Sequence, residues 1–389
     1  MLENGPGVSS VDGRPIASIV IRDRRTLLEL IFDTEVSFGD AYSEGRITVE
    51  GDLVGALEAI YRSVPNLNCQ NWYTAFASRC VGYVQRNSLR GARKNIHRHY
   101  DLNNGFFRLW LDPELEYSCA YFPTDSTNLD DAQTAKMDYI CRKLNLQPGE
   151  RVVDIGSGWG ALALYMAKNY AVIFWGYSIS HEQICWARRR AQEMDLGDRV
   201  ELVEDDYRNV SGTYDAVVSV GMLEHVGAKH FAEMGRLIDR SLSPAGRGLL
   251  HTIGRNGEGQ FSNWIRKRIF PGAYAPTLRQ LMDIFEPSNF TILDAENLRS
   301  HYARTLEHWL ERFEDSTLEV PETFGPEFVR TWRLYLAGSI AGFRVGTLQL
   351  FQIVFARAAC QRIPSTRAQL YHARHDETQE ADVSSTSLH

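Results

Sequence analysis

From Arg151 onward the apolar residues switch repeatedly between two spacings. Val152, Val153 and Ile155 form a short β-branched run, as a buried parallel strand requires. The stretch 161–170 then repeats its apolar residues at helical spacing. The exchange recurs, predicting strands over 172–177, 200–203, 214–220 and 247–253 and a helix over 180–194. Ser180 is placed as the N-cap of that helix, with Gln183 in its first turn. Strands alternating with helices predict a doubly wound α/β sheet of Rossmann-like type. Ligands of such sheets sit at the carboxyl ends of the strands, so Gly156, Ser178, Asp206, Glu224 and His251 are expected to face one crevice.

The patterning elsewhere is less regular. Residues 16–63 read as a small α+β module, with strands at 16–21 and around Ile47 and Val49, and helices at 26–32 and 53–61. Helices are predicted over 134–144, 277–285 and 304–313, and a strand over 290–298. The stretch 328–359 is long and apolar but carries Arg333, Arg344, Gln349 and Gln352. Arg344 near its centre argues against a membrane span and for a buried helix. Residues 1–15 and 365–389 are expected to be disordered. The predicted organisation is a docking module with a basic linker over 16–90 and a catalytic domain over 91–364.

Composition narrows the function classes. The chain has 389 residues, 44% hydrophobic and 23% charged, with a formal net charge of −7, which argues against a general nucleic-acid binder. Its six cysteines form no C-x-x-C pair, so no disulfide framework and no structural metal is indicated. The first residues lack a signal-peptide pattern, and a reducing cytoplasm is the expected compartment. Against this acidic background, 64–100 contains no Asp or Glu but holds Arg79, Arg86, Arg90, Arg93, Lys94 and Arg98, interleaved with Trp72, Tyr73, Phe76 and Tyr83. Such a stretch is either a solvated linker or a contact for an anionic membrane surface. The stretch 263–274, where Arg266, Lys267 and Arg268 are flanked by Trp264, Ile265, Ile269 and Phe270, reads either as a second membrane contact or as a plain amphipathic helix end.

The chemistry centres on 151–160, Arg-Val-Val-Asp-Ile-Gly-Ser-Gly-Trp-Gly. Its alternate glycines allow a sharp strand-to-helix turn and close approach of a ligand. Gly156, Gly158 and Ala161 also satisfy a dinucleotide pattern. Asp154 favours a cationic ligand such as S-adenosylmethionine instead. On these residues alone the turn admits either ligand, or none.

Further strings occur in a fixed order: His99-Tyr-Asp-Leu-Asn-Asn, Tyr117-Ser-Cys-Ala-Tyr-Phe, Asp154-Ile-Gly-Ser-Gly-Trp-Gly, Glu224-His-Val-Gly, Leu250-His-Thr-Ile-Gly, Ile269-Phe-Pro-Gly, His301-Tyr-Ala-Arg-Thr-Leu and Phe343-Arg. Together they resemble the cyclopropane-fatty-acyl-phospholipid synthases and the mycolic acid cyclopropane synthases over residues 90 to 360. The resemblance implies a class I methyltransferase fold with S-adenosylmethionine as cofactor and unsaturated phospholipid acyl chains as substrate. It implies work at the cytoplasmic face of the inner membrane, as a peripheral protein; a homodimer is admitted. It also decides the turn against a dinucleotide, as does the lack of a ribose-binding acid after Tyr177 and Ser178.

Carried over by position, the resemblance puts Tyr117 and Ser118 on the cofactor. Val152, Val153, Asp154, Ile155, Gly156, Ser157, Gly158, Trp159 and Gly160 would wrap its methionine end. Ser178 and Gln183 would hold the ribose, and Tyr207 and Arg208 would lie near the adenine. Cys119, Glu224, His251, the backbone of Ile253, and Tyr302 would form a bicarbonate site. One departure is Ser339, where some members carry a cysteine. Bicarbonate can donate its hydrogen to Glu224 and accept from the other groups, a set better suited to that anion than to a metal. The alternatives are a related methyltransferase giving methyl-branched or methylene lipids, and a non-catalytic lipid-binding protein.

Overall fold

The structure is a computed structural model that describes residues 15–63, 104–257, 262–317, 324–364 and 366–371. The first part of the chain comprises β1 (Ala17–Ile21), α1 (Arg24–Phe32), α2 (Thr34–Ser43), β2 (Ile47–Gly51), α3 (Leu53–Ser63) and α4 (Asn104–Phe107). The central part runs α5 (Leu129–Leu144), β3 (Arg151–Ile155), α6 (Ala161–Tyr170), β4 (Ile173–Ser178), α7 (His181–Glu193), β5 (Val200–Glu204), β6 (Tyr214–Val220), α8 (Phe231–Ser241) and β7 (Leu242–Gly254). Then follow α9 (Asn263–Arg268), α10 (Leu278–Phe285), β8 (Thr291–Asn297), α11 (Arg299–Asp315), α12 (Gly325–Val345), β9 (Gln349–Ala356) and α13 (Ala368–Tyr371).

Seven strands form one sheet in the order β5-β4-β3-β6-β7-β9-β8. β3 to β7 are parallel, and β9 runs antiparallel to both β7 and β8. The chain order reverses between β3 and β6, which opens the crevice expected at a topological switch point. Apolar cores fill both faces of the sheet. The α7 helix starts where its N-cap predicts: Ser180 Oγ accepts from Gln183 N–H at 3.4 Å.

The stretch 328–359 corrects the expectation of one buried helix. The α12 helix stops at Val345, and Gly346 caps it with φ +82°, a conformation costly for any residue with a Cβ. The chain then turns into β9, every residue of which is buried. A strand buried on both faces has no alternation, so its apolar run cannot be told from a helix by period.

The N-terminal module pairs β1 with β2 antiparallel. Its α2 and α3 pack on α12, so module and sheet domain share one core that includes Ala41, Ile47, Trp332 and Leu336. The 263–274 stretch is also corrected. Trp264, Ile265 and Ile269 are buried, Trp264 Nε1 donates to Asp40 Oδ1 at 3.1 Å, and Arg268 holds the same carboxylate at 2.8 and 2.6 Å. Trp264 and Arg268 therefore join α9 to α2, and the buried Trp264, Ile265 and Ile269 are not free to enter a membrane. The basic stretch 64–100 lies outside the described residues, as do 1–14 and 372–389. Within the tail expected to be disordered, Ala368–Tyr371 forms a short helix with Leu370 buried.

Candidate active site

Two adjoining cavities lie at the carboxyl ends of the parallel strands. The first, about 150 Å³, is lined by Tyr117, Ser118, Asp154, Gly156, Ser157, Gly158, Trp159, Ser178, Gln183 and Tyr207 among others. These are ten of the residues assigned from the sequence to a cofactor. Val152, Val153 and Ile155 do not line it; they are strand residues in the sheet core. Gly160 caps α6 and packs toward Ala187. Arg208 turns to Asp206, which it holds at 2.8 and 3.0 Å.

The glycine turn is shaped for a ligand. Gly158 has φ +53°, and a Cβ there would meet nothing within 4 Å. The space beside it is cleft, so a larger side chain would occupy the ligand's place. Asp154 Oδ1 and Ser157 Oγ are buried without a hydrogen-bond partner. Burial lifts the Asp154 carboxyl to about 7. An orphaned carboxylate beside open backbone suits a ligand that brings its own positive charge, as the ammonium and sulfonium of S-adenosylmethionine do. Ser178 Oγ donates to Gln183 Oε1 at 3.1 Å, which joins the end of β4 to α7 at the cleft.

Sequence reasoning missed what holds the 116–118 segment. Lys136 on α5 is buried, pairs with Glu116 and donates to Ser118 Oγ at 2.9 Å. Gln133 Nε2 donates to the carbonyls of Glu116 and Ser118 at 3.1 and 3.0 Å. Burial pulls the Lys136 amine down to about 7. The spacing of α5 marks both residues only as members of an amphipathic helix.

The second cavity, about 70 Å³, is lined by Cys119, Glu224, His251, Ile253 and Tyr302, the five residues grouped as a base site. It shares Tyr117, Ser118, Gly221 and His225 with the first. Its walls are aromatic: Phe270, Tyr274, Tyr302, Tyr335 and Phe343. The Tyr117 and Tyr335 hydroxyls meet at 2.9 Å. Ser339 also lines it, but its hydroxyl bonds back to the Tyr335 carbonyl at 2.8 Å.

Register explains why the polar pair converges. His251 lies opposite Val220 on β6 and Gln352 on β9. Gln352 Nε2 lies 3.1 Å from His251 Nδ1. That amide can only donate, so Nδ1 accepts and the ring hydrogen is assigned to Nε2. Burial pushes His251 down to about 3, so the ring is neutral at ordinary pH. Its Nε2 is buried without a partner, as is Glu224 Oε2. Glu224 Oε1 accepts from Ile253 N–H at 2.6 Å. This amends the expectation for Ile253: its amide serves the Glu224 carboxylate. Burial raises Glu224 to about 7, against the pull of that amide. Cys119 donates to the Ala120 carbonyl at 3.1 Å, and burial raises its thiol well above the usual range, which disfavours a thiolate nucleophile. Among the described residues, no three His, Cys, Asp or Glu side chains are grouped to hold a metal ion.

Comparison with known proteins accords with this arrangement. The family model for mycolic acid cyclopropane synthetase matches residues 87–353. Cyclopropane-fatty-acyl-phospholipid synthase of Escherichia coli is 43% identical over 260 residues, which are 67% of this chain and 66% of that protein, just under two thirds of its length. A probable fatty acid methyltransferase of Pseudomonas putida is 33% identical over 374 residues, 92% of each. The crystal structure of mycolic acid cyclopropane synthase CmaA1 with SAH and CTAB superposes with a TM-score of 0.64 at 29% identity, covering 68% of this chain and 98% of that one. The chain belongs to the mycolic acid cyclopropane synthase family, whose members are class I S-adenosylmethionine-dependent methyltransferases.

Proposed function

We propose that this protein is a cyclopropane fatty acid synthase. It transfers the methyl carbon of S-adenosylmethionine to the double bond of an unsaturated phospholipid acyl chain, with bicarbonate as general base. The observation that carries the reading is the shared wall of the two cavities: a cleft with an orphaned carboxylate opens onto an aromatic chamber holding Glu224 and His251.

When bound, the cofactor supplies an electrophilic methyl, which a weakly nucleophilic alkene needs. Asp154 would hold the cofactor's ammonium, and Ser178 and Gln183, which line the same cavity, would serve its ribose. Tyr117, Phe270, Tyr302 and Tyr335 line the cavity with aromatic rings, which would stabilise positive charge developing on the acyl chain and exclude water that would quench it. Ring closure then requires loss of a proton from the added methyl. Glu224 Oε2 and His251 Nε2, both buried without a partner, would hold a bicarbonate there, the carboxylate as acceptor and the ring as donor, and bicarbonate would supply the base for that proton. The Ile253 amide keeps Glu224 in place.

The substrate class lives in bilayers, so a membrane contact belongs to the proposal. We assign it to α1, where Leu28, Ile31 and Phe32 are 57%, 70% and 87% exposed and the exposed Arg22, Arg24 and Arg25 stand at its start. Apolar side chains beside clustered arginines suit an anionic, cytoplasmic membrane surface. No helix among the described residues is long and apolar enough to cross a membrane.

Incubating the protein with unsaturated phospholipid vesicles and methyl-labelled S-adenosylmethionine tests the function. Label in the acyl chain supports it, and label-free lipid with intact cofactor contradicts it. A second reading, methyl transfer giving a methyl-branched or methylene chain, draws on the near-full-length match to a probable fatty acid methyltransferase. Vinylic protons in the labelled product, or two further hydrogens in its mass, would favour it. A lipid-binding protein without catalysis would return no label.

A further inference from the structure

On the surface, outside both cavities, three side chains of α7 and β5 form a second chemical constellation. His181 and Cys185 stand one turn apart on α7, and Glu204 ends β5. His181 Nδ1 lies 2.7 Å from Glu204 Oε2, and its Nε2 lies 3.3 Å from Cys185 Sγ. All three residues are exposed. A nucleophile reaches a base, and an acid orients the base. Methyl transfer needs none of them.

We propose that Cys185, His181 and Glu204 form a reactive-thiol site that takes small disulfides by thiol–disulfide exchange. Cys185 Sγ attacks one sulfur of the disulfide, forming the mixed disulfide and breaking the S–S bond. Its proton passes to His181 Nε2. The departing sulfur leaves as a thiolate and is reduced as the cysteine sulfur is oxidised, so no other redox partner is needed. Glu204 fixes the ring so that Nε2 faces the thiol and stabilises the imidazolium. The charged groups around the ring are Glu204 from β5 and Glu182 and Arg188 from α7; the hydrogen bond to Glu204 raises the His181 pKa. The arrangement differs from that of the buried Cys119, whose thiol is closed off from solvent.

The folded protein is treated with glutathione disulfide, and modification is followed peptide by peptide with mass spectrometry. Cys360, half-buried, is the internal reference. Cys185 is expected to react about tenfold faster than Cys360. His181→Asn should remove most of that advantage, leaving Cys360 and the far-ultraviolet circular dichroism unchanged. Glu204→Gln should slow Cys185 labelling and Glu204→Asp should restore part of the rate, a rescue that mere loss of packing would not produce. Cys185→Ser should lose the label and keep the basal methyl transfer. Reaction of Cys185 at the Cys360 rate, or an undiminished rate in folded His181→Asn, would overturn the site.

Discussion

Asp154 is a carboxyl group buried at the wall of the cofactor cleft. Its pKa rises from 3.8 to about 7 on folding because burial disfavours the charge, although Lys136 opposes the rise. A folded pKa above the unfolded one means that this group's contribution to stability is full below the unfolded value and is lost as pH rises through about 7. Asp154→Asn removes the charge at every pH. The variant should melt higher than wild type at pH 8, by ~2 °C or more, with the gap narrowing toward pH 5. Calorimetry should show that it no longer binds S-adenosylmethionine. A variant that binds normally would remove Asp154 from the cofactor's contacts.

Glu224 obeys the same sign, from 4.5 to about 7. In the proposed mechanism its carboxylate form accepts the bicarbonate hydrogen, so turnover should rise with pH through about 7. In Glu224→Gln the neutral amide replaces that acceptor. Turnover should fall about 10²- to 10⁴-fold, with cofactor affinity kept within a few-fold. Cys119→Ser should cost less, since no covalent bond to the sulfur is required. If Cys119→Ser is dead and Glu224→Gln is mild, the base assignment fails.

At the scale of elements, α5 acts as a clamp on the cleft's rim. Lys136 and Gln133 together hold Glu116 and Ser118. Lys136→Met keeps the stem's packing but leaves the half-buried Glu116 without its buried partner. Cofactor affinity should drop about tenfold or more while the far-ultraviolet circular dichroism is retained, since removing one partner of a buried pair is costly. Unchanged affinity would make the pair purely architectural.

The elements also show what the sequence makes legible. The glycine turn, the Ser180 cap and the parallel strands β3 to β7 carry local signals: β-branched runs, capping side chains, and glycines where φ is positive. β9 carries none, because burial on both faces erases its period. Nor does the chain pattern show that Trp264 docks on Asp40, since an aromatic beside arginines reads equally well as a membrane contact. Of the ten cleft residues, Asp154, Gly156, Ser157, Gly158 and Trp159 belong to one local motif and Ser178 to a strand end, whereas Tyr117, Ser118, Gln183 and Tyr207 follow only from the family resemblance. Lys136 does not, because a lysine on a helix is ordinarily solvated and only the tertiary fold buries it. Ile253 was legible as a site residue, but which group its amide serves depends on where the Glu224 side chain goes.

Under the proposed function, the whole molecule must bring the second cavity to a substrate embedded in a bilayer. The described surface offers α1 for that purpose, with Phe32 the most exposed of its apolar residues. Ile31→Asp with Phe32→Asp should weaken binding to anionic vesicles by about tenfold or more, because two apolar anchors are lost and two like charges are added. Cofactor affinity should stay unchanged. High salt should weaken the wild type as the arginines are screened. Vesicle binding untouched by the double variant would move the contact elsewhere.

The central claim is that the two joined cavities add one carbon to an acyl double bond and close a ring with Glu224 in place. The most direct measurement is mass spectrometry with proton magnetic resonance on lipids from cells expressing the wild type or Glu224→Gln. Wild-type lipids should gain one CH2 per modified chain, lose their vinylic protons and show cyclopropane protons, while Glu224→Gln should leave the chains unsaturated. Lipids unchanged by the wild type, or ring formation undiminished in Glu224→Gln, would contradict it.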